Sequence, residues 1–357
     1  MKRSQPETPA TNNRMHRLIS FTLIAASLLA GHGRLWTLAS STPSPSQIDL
    51  TVAADGSAQF KTVHEAIMSV PSGTPASPVA IHIKPGVYRE LIYIQREKRF
   101  FRLVGEDPGR TVLSFDLHAN IPGPDGKPIG TFRTPQTVID ADDVTIEKIT
   151  FENSAGPVGQ ALAIRIDGDR VAFRNCRFLG WQDTIFANRG RQYFEDCYIA
   201  GHVDFIFGGA TAFFERCRIH CLGKGYITAA STPDYQPYGF VFSHCKITAA
   251  SADVKTYLGR PWRDYSSAIF LNTEMSEAVQ PAGWHNWDKP EREKTSRYAE
   301  FNSNGPGANP QERVKWARRL TESEAKGITV EKVLGGSDGW NPTAGAGNSK
   351  PTAKKTS

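Results

Sequence analysis

Six eight-residue segments of this chain can be laid on one another: VTIEKITF from Val144, VAFRNCRF from Val171, QYFEDCYI from Gln192, AFFERCRI from Ala212, FVFSHCKI from Phe240 and AIFLNTEM from Ala268. Their starts lie 27, 21, 20, 28 and 28 residues apart. Each segment is rich in aromatic and β-branched residues with a partial period of two, the pattern of a strand. Gly, Asn, Asp and Pro fill the intervals, so those read as turns, and no crossover helix fits between them. A repeat of this length made only of strands and turns predicts a parallel β-helix. A leucine-rich repeat would carry a Leu/Asn ladder, and a propeller blade would need about 40 residues. The stretch Val79 to Phe115 continues the same architecture with less regular coils. The expected fold is therefore all-β, a single-stranded solenoid. Apolar positions at helical spacing in 60–70 predict a helix capping its N-terminal end. A second helical patch, Val314 to Leu320, is expected to pack along the outside, as part of the C-terminal segments.

The two ends of the 357-residue chain differ from its body. Residues 1–41 hold an uncharged apolar run, Leu18 to Ala30, preceded by Arg14 and Arg17 and followed by a Ser/Thr/Pro stretch. That layout predicts a signal peptide, and hence a secreted or periplasmic protein, with an uncleaved membrane anchor as the alternative. The run is short for a spanning helix of about 20 residues. Residues 345–357 form a low-complexity basic tail, expected to be disordered. Of the net charge of +6, the leader contributes +4 and the tail +3, leaving −1 for the β-helix domain, 42–344. A near-neutral body removes the main support for nucleic-acid binding. No membrane contact is expected beyond the leader, and a monomer is the default.

All five cysteines fall between Cys176 and Cys245, and Cys176, Cys197, Cys217 and Cys245 share the sixth position of successive repeats. Equivalent positions in adjacent coils stack about 4.8 Å apart, so this is a ladder of thiols. Export would permit a disulfide between neighbours such as Cys197 and Cys217. A column of buried reduced thiols fits the pattern as well. Cys217, His220 and Cys221 lack the second pair of ligands that a zinc site needs.

The same ladder measures the acids. Asp183 follows Cys176 by seven residues, and Asp204 follows Cys197 by seven. Sharing one phase on consecutive coils, their side chains can converge. Two carboxylates so placed do not both ionise easily, and hold one proton more readily than free aspartates. One is then available as nucleophile or base and the other as acid. Turn aspartates bonding their own backbone are the plain alternative. Against it, Gln182 places an amide donor beside the first acid, and Asp204 is embedded in GHVDFIFGG among glycines and apolar residues.

The blocks GWQDT, GHVDFIFGG and LGRPW, in this order and with QALA from Gln160 earlier, resemble the signature of pectin methylesterases. DGSAQFKTVHEAI, IKPGVYRE, ITFENSAGP, NGPGA and RVKW…LTESEA extend the similarity over roughly residues 49–341. The resemblance implies a right-handed parallel β-helix that hydrolyses C6 methyl esters of galacturonate units in homogalacturonan (methyl-esterified pectin). It implies Asp204 as the nucleophile forming an acyl-enzyme, and Asp183 as the acid that protonates methanol and then the base that activates water. Gln182 and Gln160 correspond to the oxyanion donors. Arg260 corresponds to the guanidinium that orients Asp204 and lowers its pKa, while Asp183 is raised. Trp262 and Phe207 correspond to sugar-contacting aromatics, with plain packing as the alternative for each. No cofactor or metal is needed by this mechanism. Two positions depart from the family pattern: Trp181 stands where Tyr or Phe is frequent, and Gly209 where Asn is common.

Other hydrolytic routes fit less well. Gly335-Gly336-Ser337-Asp338-Gly339 has the spacing of a nucleophile elbow, but the last histidine, His285, precedes it, so a turn is expected. An inverting glycosidase wants its carboxylates about 6.5–9.5 Å apart, and stacked neighbours are too close. A pectate lyase would need an acidic calcium cluster beyond these two aspartates.

Overall fold

A computed structural model describes residues 48–344. The apolar leader and the basic tail lie outside these residues. Every pairing between the named strands is parallel, and each coil of the solenoid has three sides. The first side is an eleven-stranded sheet in which chain order equals spatial order, from Asp49–Val52 through Val171–Arg174 and Arg191–Glu195 to Arg297–Phe301 and Arg318–Arg319. The second side contains Thr150–Asn153, Arg177–Leu179 and Lys246–Ala249, and the third Thr137–Ile139, Ile164–Ile166, Ile185–Ala187 and Thr256–Pro261. Two long strands, Tyr198–Gly208 and Arg218–Ala230, run around the corner between these sides and join them into one sheet.

The repeat alignment is the register of the fold. Val171 pairs with Gln192, Gln192 with Ala212, Ala212 with Phe240 and Phe240 with Ala268. From Lys148 onward each coil turns from the first side to the second at a left-handed residue: Lys148, Asn175, Asp196, Arg216, His244, Asn272 and Asn302 all have φ between 49° and 56°. Asn and Asp tolerate this conformation, and the other side chains are held there by pairing on both flanks.

Stacking in register turns each inward column into a core ladder. Phe173, Phe194, Phe214, Phe242 and Phe270 stack face to face, with centroids 4.8, 4.5, 4.5 and 4.4 Å apart. Beside them run Cys176, Cys197, Cys217 and Cys245, all buried free thiols. Each Sγ lies within hydrogen-bond reach of a backbone carbonyl of the preceding coil, as in Cys217 to Phe194 O at 3.5 Å.

Both ends of the tube are covered. Helix Val63–Met68 buries Val63, Ala66 and Ile67 over the first coils. Its N-terminal amides are satisfied from a distance, because the Glu90 carboxylate accepts from Val63 N and His64 N at 2.9 Å each. The helix expected over Val314–Leu320 does not form. Arg318–Arg319 instead extends the first sheet beside Arg297–Phe301, and Val314, Trp316 and Ala317 pack over the end of the core. The exposed backbone of the last strand needs a partner, and pairing it outweighs local helical spacing. The helices come later, at Glu322–Lys326 and Val330–Leu334, capped by Thr321 and Thr329. Ala325, Val333 and Leu334 close the outer surface of the first sheet over Tyr193, Phe213 and Val241. Gly335–Gly339 is a turn, and its Asp338 accepts from Arg191 at 2.6 and 2.7 Å.

The phenylalanine ladder makes a stability prediction. Phe214→Ala removes a ring stacked on both neighbours and opens a cavity, so it should cost about 3–5 kcal/mol. Thermal unfolding would register this as a large fall in Tm; an unchanged Tm would mean that the ladder does not hold the coils together.

Candidate active site

The third side carries the site on its outer surface, where the long strands bend. Ile185 pairs with Ile206, which places Asp183 and Asp204 one above the other. Both aspartates have left-handed backbones, φ 65° and 51°, and the Asp183 amide donates to Val203 O at 3.1 Å. Left-handed geometry at a bulge turns each carboxylate out of the strand line. The flanking glycines make the bend possible. A Cβ on Gly201 would sit 2.3 Å from Phe205 Cβ, and Gly208, at φ 125°, would press one to 2.0 Å from Ala187 O.

Gln160 and Gln182 sit opposite each other in an isolated parallel bridge, one residue before the acids' side of the coil. Neither side-chain amide has a hydrogen-bond partner among the described residues, so both remain available to a ligand. Arg260 comes from farther away. Its strand pairs beyond Tyr226–Ala230, with Ala229 opposite Arg260, and small Ala229 lets the guanidinium reach back to Asp204. Nε meets Asp204 Oδ1 at 2.9 Å and a terminal nitrogen meets Oδ2 at 2.7 Å. The guanidinium is clamped between Tyr226, 3.9 Å from the ring centroid, and Trp287, at 3.6 Å.

The two acids are unequal. Asp204 is 6% and Asp183 8% exposed, but only Asp204 has a cationic partner in contact. Burial pushes the Asp183 carboxyl well above the usual carboxylate range, and the Asp204 charge adds to the shift against a smaller opposing pull from Arg260. For Asp204 the expected lowering does not occur. Burial raises its pKa as well, and the two hydrogen bonds and the charge of Arg260 only restrain the rise. The order of the pair survives, because the larger rise falls on Asp183, which no cation touches.

A cavity of about 290 Å³ opens over the pair. Its walls include all the sequence-selected residues: Gln160, Gln182, Asp183, Asp204, Phe207, Arg260 and Trp262. Phe207 is both wall and packing, stacked on Phe186 at 4.5 Å with 6° between the rings. Trp262 meets Phe207 edge-on at 5.7 Å. Phe132 and Trp287 also line the cavity, and sequence reasoning missed them. Phe132 comes from an irregular excursion outside the repeat, and Trp287 from a loop after the last complete coil. No repeat phase marks either.

The chain is similar in sequence and fold to known proteins. The family model described as Pectinesterase matches residues 49–337. Pectinesterase 31 of Arabidopsis thaliana is 42% identical over 280 residues, covering 77% of this chain and 88% of its own. Among solved structures, pectin methylesterase from carrot superposes with a TM-score of 0.76 at 33% identity, over 81% of this chain and 93% of its own. A pectin methylesterase in complex with a hexasaccharide gives 0.72 at 32% identity, over 84% and 99%. With the fold and sequence matching over nearly all of the described residues, the chain belongs to the pectinesterase family.

Proposed function

We propose that the chain hydrolyses C6 methyl esters of galacturonate units in pectin, with Asp204 as nucleophile and Asp183 as proton carrier. One observation carries this reading: a buried acid held at two points by Arg260 stands beside a second buried acid that no cation touches, with the side chains of Gln160 and Gln182 lining the same cavity. Asp204 Oδ attacks the ester carbonyl carbon, and the amides of Gln160 and Gln182 receive the oxygen as it becomes negative. Collapse expels the methoxy group, which takes its proton from Asp183 and leaves as methanol. The acyl group now joined to Asp204 is an anhydride. Asp183, ionised by the first half-reaction, takes a proton from water, and the hydroxyl attacks the acyl carbon to release the carboxylic acid and regenerate Asp204. Phe207 and Trp262 supply apolar surface for sugar rings along the cavity.

The apolar run Leu18 to Ala30, preceded by Arg14 and Arg17, supports export, with a monomer as the default. Expression of the full chain, followed by fractionation and N-terminal sequencing, should yield a shortened protein in the periplasm or medium. Full-length protein held in the membrane would instead support the anchor.

Given highly methylated pectin, the purified protein should release methanol without new reducing ends or unsaturated ends; chain cleavage without methanol would overturn the esterase. Asp204→Ala should lower kcat by about 10⁴-fold or more, and Gln182→Ala by about 10²–10³-fold. A fully active Asp204→Ala enzyme would remove the nucleophile assignment.

Asp183 also makes a linkage prediction. Its folded pKa lies above the unfolded value, so its contribution to stability is complete below the ordinary carboxylate range and is lost as pH rises through the folded pKa. Asp183→Asn cannot ionise and escapes that loss. It should gain about 1 kcal/mol or more near neutrality, little in acid, and lose methanol release. Equal Tm differences at both pH values would contradict the burial of a protonated Asp183.

A further inference from the structure

We propose that His285 is a positioning residue: its Nδ1 fixes Trp287, and through Trp287 the guanidinium of Arg260 that grips Asp204. The inference rests on the esterase reading above and deepens it. Arg260 lies between two rings, 3.9 Å from the centroid of Tyr226 and 3.6 Å from that of Trp287. One jaw belongs to a sheet. Tyr226 lies in the strand Arg218–Ala230, paired with Val203 on one side and Tyr257 on the other. The other jaw has no strand beneath it. Trp287 sits in the loop that follows the bridge between Gly259 and Trp284.

That loop is held in an unfavourable backbone. Trp287 and Asp288 are consecutive left-handed residues, φ 62° and 53°, a conformation that bulky side chains rarely adopt. Two side chains hold it, each accepting from the amide two residues on. His285 Nδ1 accepts from Trp287 N at 2.9 Å, and Asn286 Oδ1 from Asp288 N at 3.0 Å. An amide N–H only donates, so Nδ1 is the unprotonated ring nitrogen and Nε2 carries the hydrogen. His285 is also tied to the strands beneath the clamp. Its own N donates to Gly259 O at 3.1 Å, one residue before Arg260. Its ring meets Tyr226 and Tyr257 edge-on, with centroids 5.5 and 5.3 Å away. One imidazole thus spans both jaws, packing on Tyr226 and ordering the backbone that carries Trp287. His285 does not itself line the cavity.

The consequence falls on Asp204. The charged groups facing it are Arg260, Asp183 and His202, and Arg260 is the one in contact with Trp287. Arg260 restrains the rise of the Asp204 pKa, and a two-point contact does so only while the guanidinium keeps its plane. With Trp287 released, that contact loosens and the Asp204 pKa climbs further. The ionised form is the nucleophile, so less of it exists at any acidic pH, and the acid limb of the kcat/KM profile moves to higher pH.

The test measures methanol release against pH in wild type and two variants. His285→Phe keeps a ring without an acceptor, with His285→Ala in its place if the larger ring does not fold. His285→Asn keeps an oxygen that accepts two residues on. For His285→Phe the acid limb should move up, and kcat/KM below it should fall about five-fold, the scale of one cation–ring contact. His285→Asn should lie close to wild type; an equal shift there overturns the proposal. Trp287→Leu should move the limb at least as far, and the double variant His285→Phe/Trp287→Leu no farther than Trp287→Leu alone. A purely structural role would lower activity equally at every pH; an unmoved limb, or additive shifts in the double variant, overturns the proposal. Proton–nitrogen NMR of the arginine Nε–H groups reads the clamp without turnover, with Arg260→Lys identifying the Arg260 signal by its loss. The flanking rings should displace that signal in wild type, and His285→Phe should return it toward the other arginines; an unmoved signal overturns the proposal. Methanol release absent from wild type would sink the esterase reading alone, with the Arg260 signal still deciding whether His285 holds the clamp.

Discussion

In-register parallel pairing of one coil on the next is the constraint from which the rest of this molecule follows. It fixes equivalent positions about 4.8 Å apart along each column, so any residue type repeated in phase becomes a physical stack. Inside the tube this makes the phenylalanine ladder, Phe173 to Phe270, and the parallel column of thiols. Outside it, the same rule sets Asp183 over Asp204 and Phe186 under Phe207. Core and site are thus products of a single translation along the axis.

Proximity alone would leave the two aspartates nearly equivalent. Their difference comes from Arg260, which reaches across the small side chain of Ala229 and grips Asp204 at two points while Tyr226 and Trp287 hold its plane. Burial works against ionisation of both acids, and for Asp204 it exceeds what the guanidinium returns. The two acids therefore differ in degree: both are raised, Asp183 the more. Low dielectric around the pair also strengthens every contact that an oxyanion would make with Gln160 and Gln182.

Deviations from regularity occur where the chain does something besides stack. The strand Tyr198–Gly208 stays continuous around a corner with two register shifts, and Asp204 lies within the second. Gly201 and Gly208 are required there by close backbone approach rather than by general flexibility. At the C-terminal end, the helical spacing of Val314 to Leu320 yields to a sheet edge, because unpaired strand backbone is costlier than a lost turn of helix. Helix formation is displaced to the segments with Thr caps.

The periodicity of the sequence by itself determined the solenoid, the register, the thiol column and the nearness of Asp183 to Asp204, because each depends only on phase within a repeat. The spacing also chose the N-terminal cap, whose apolar face is local. The two-point grip on Asp204 could be anticipated from LGRPW only through family resemblance, since nothing in the spacing of Arg260 predicts a contact 56 residues back. Tertiary structure alone decided the placement of Phe132 and Trp287, the direction of the Asp204 shift and the strand at Arg318–Arg319. Those outcomes depend on desolvation and on packing between segments of unrelated phase, quantities that exist only once the coils have closed on one another.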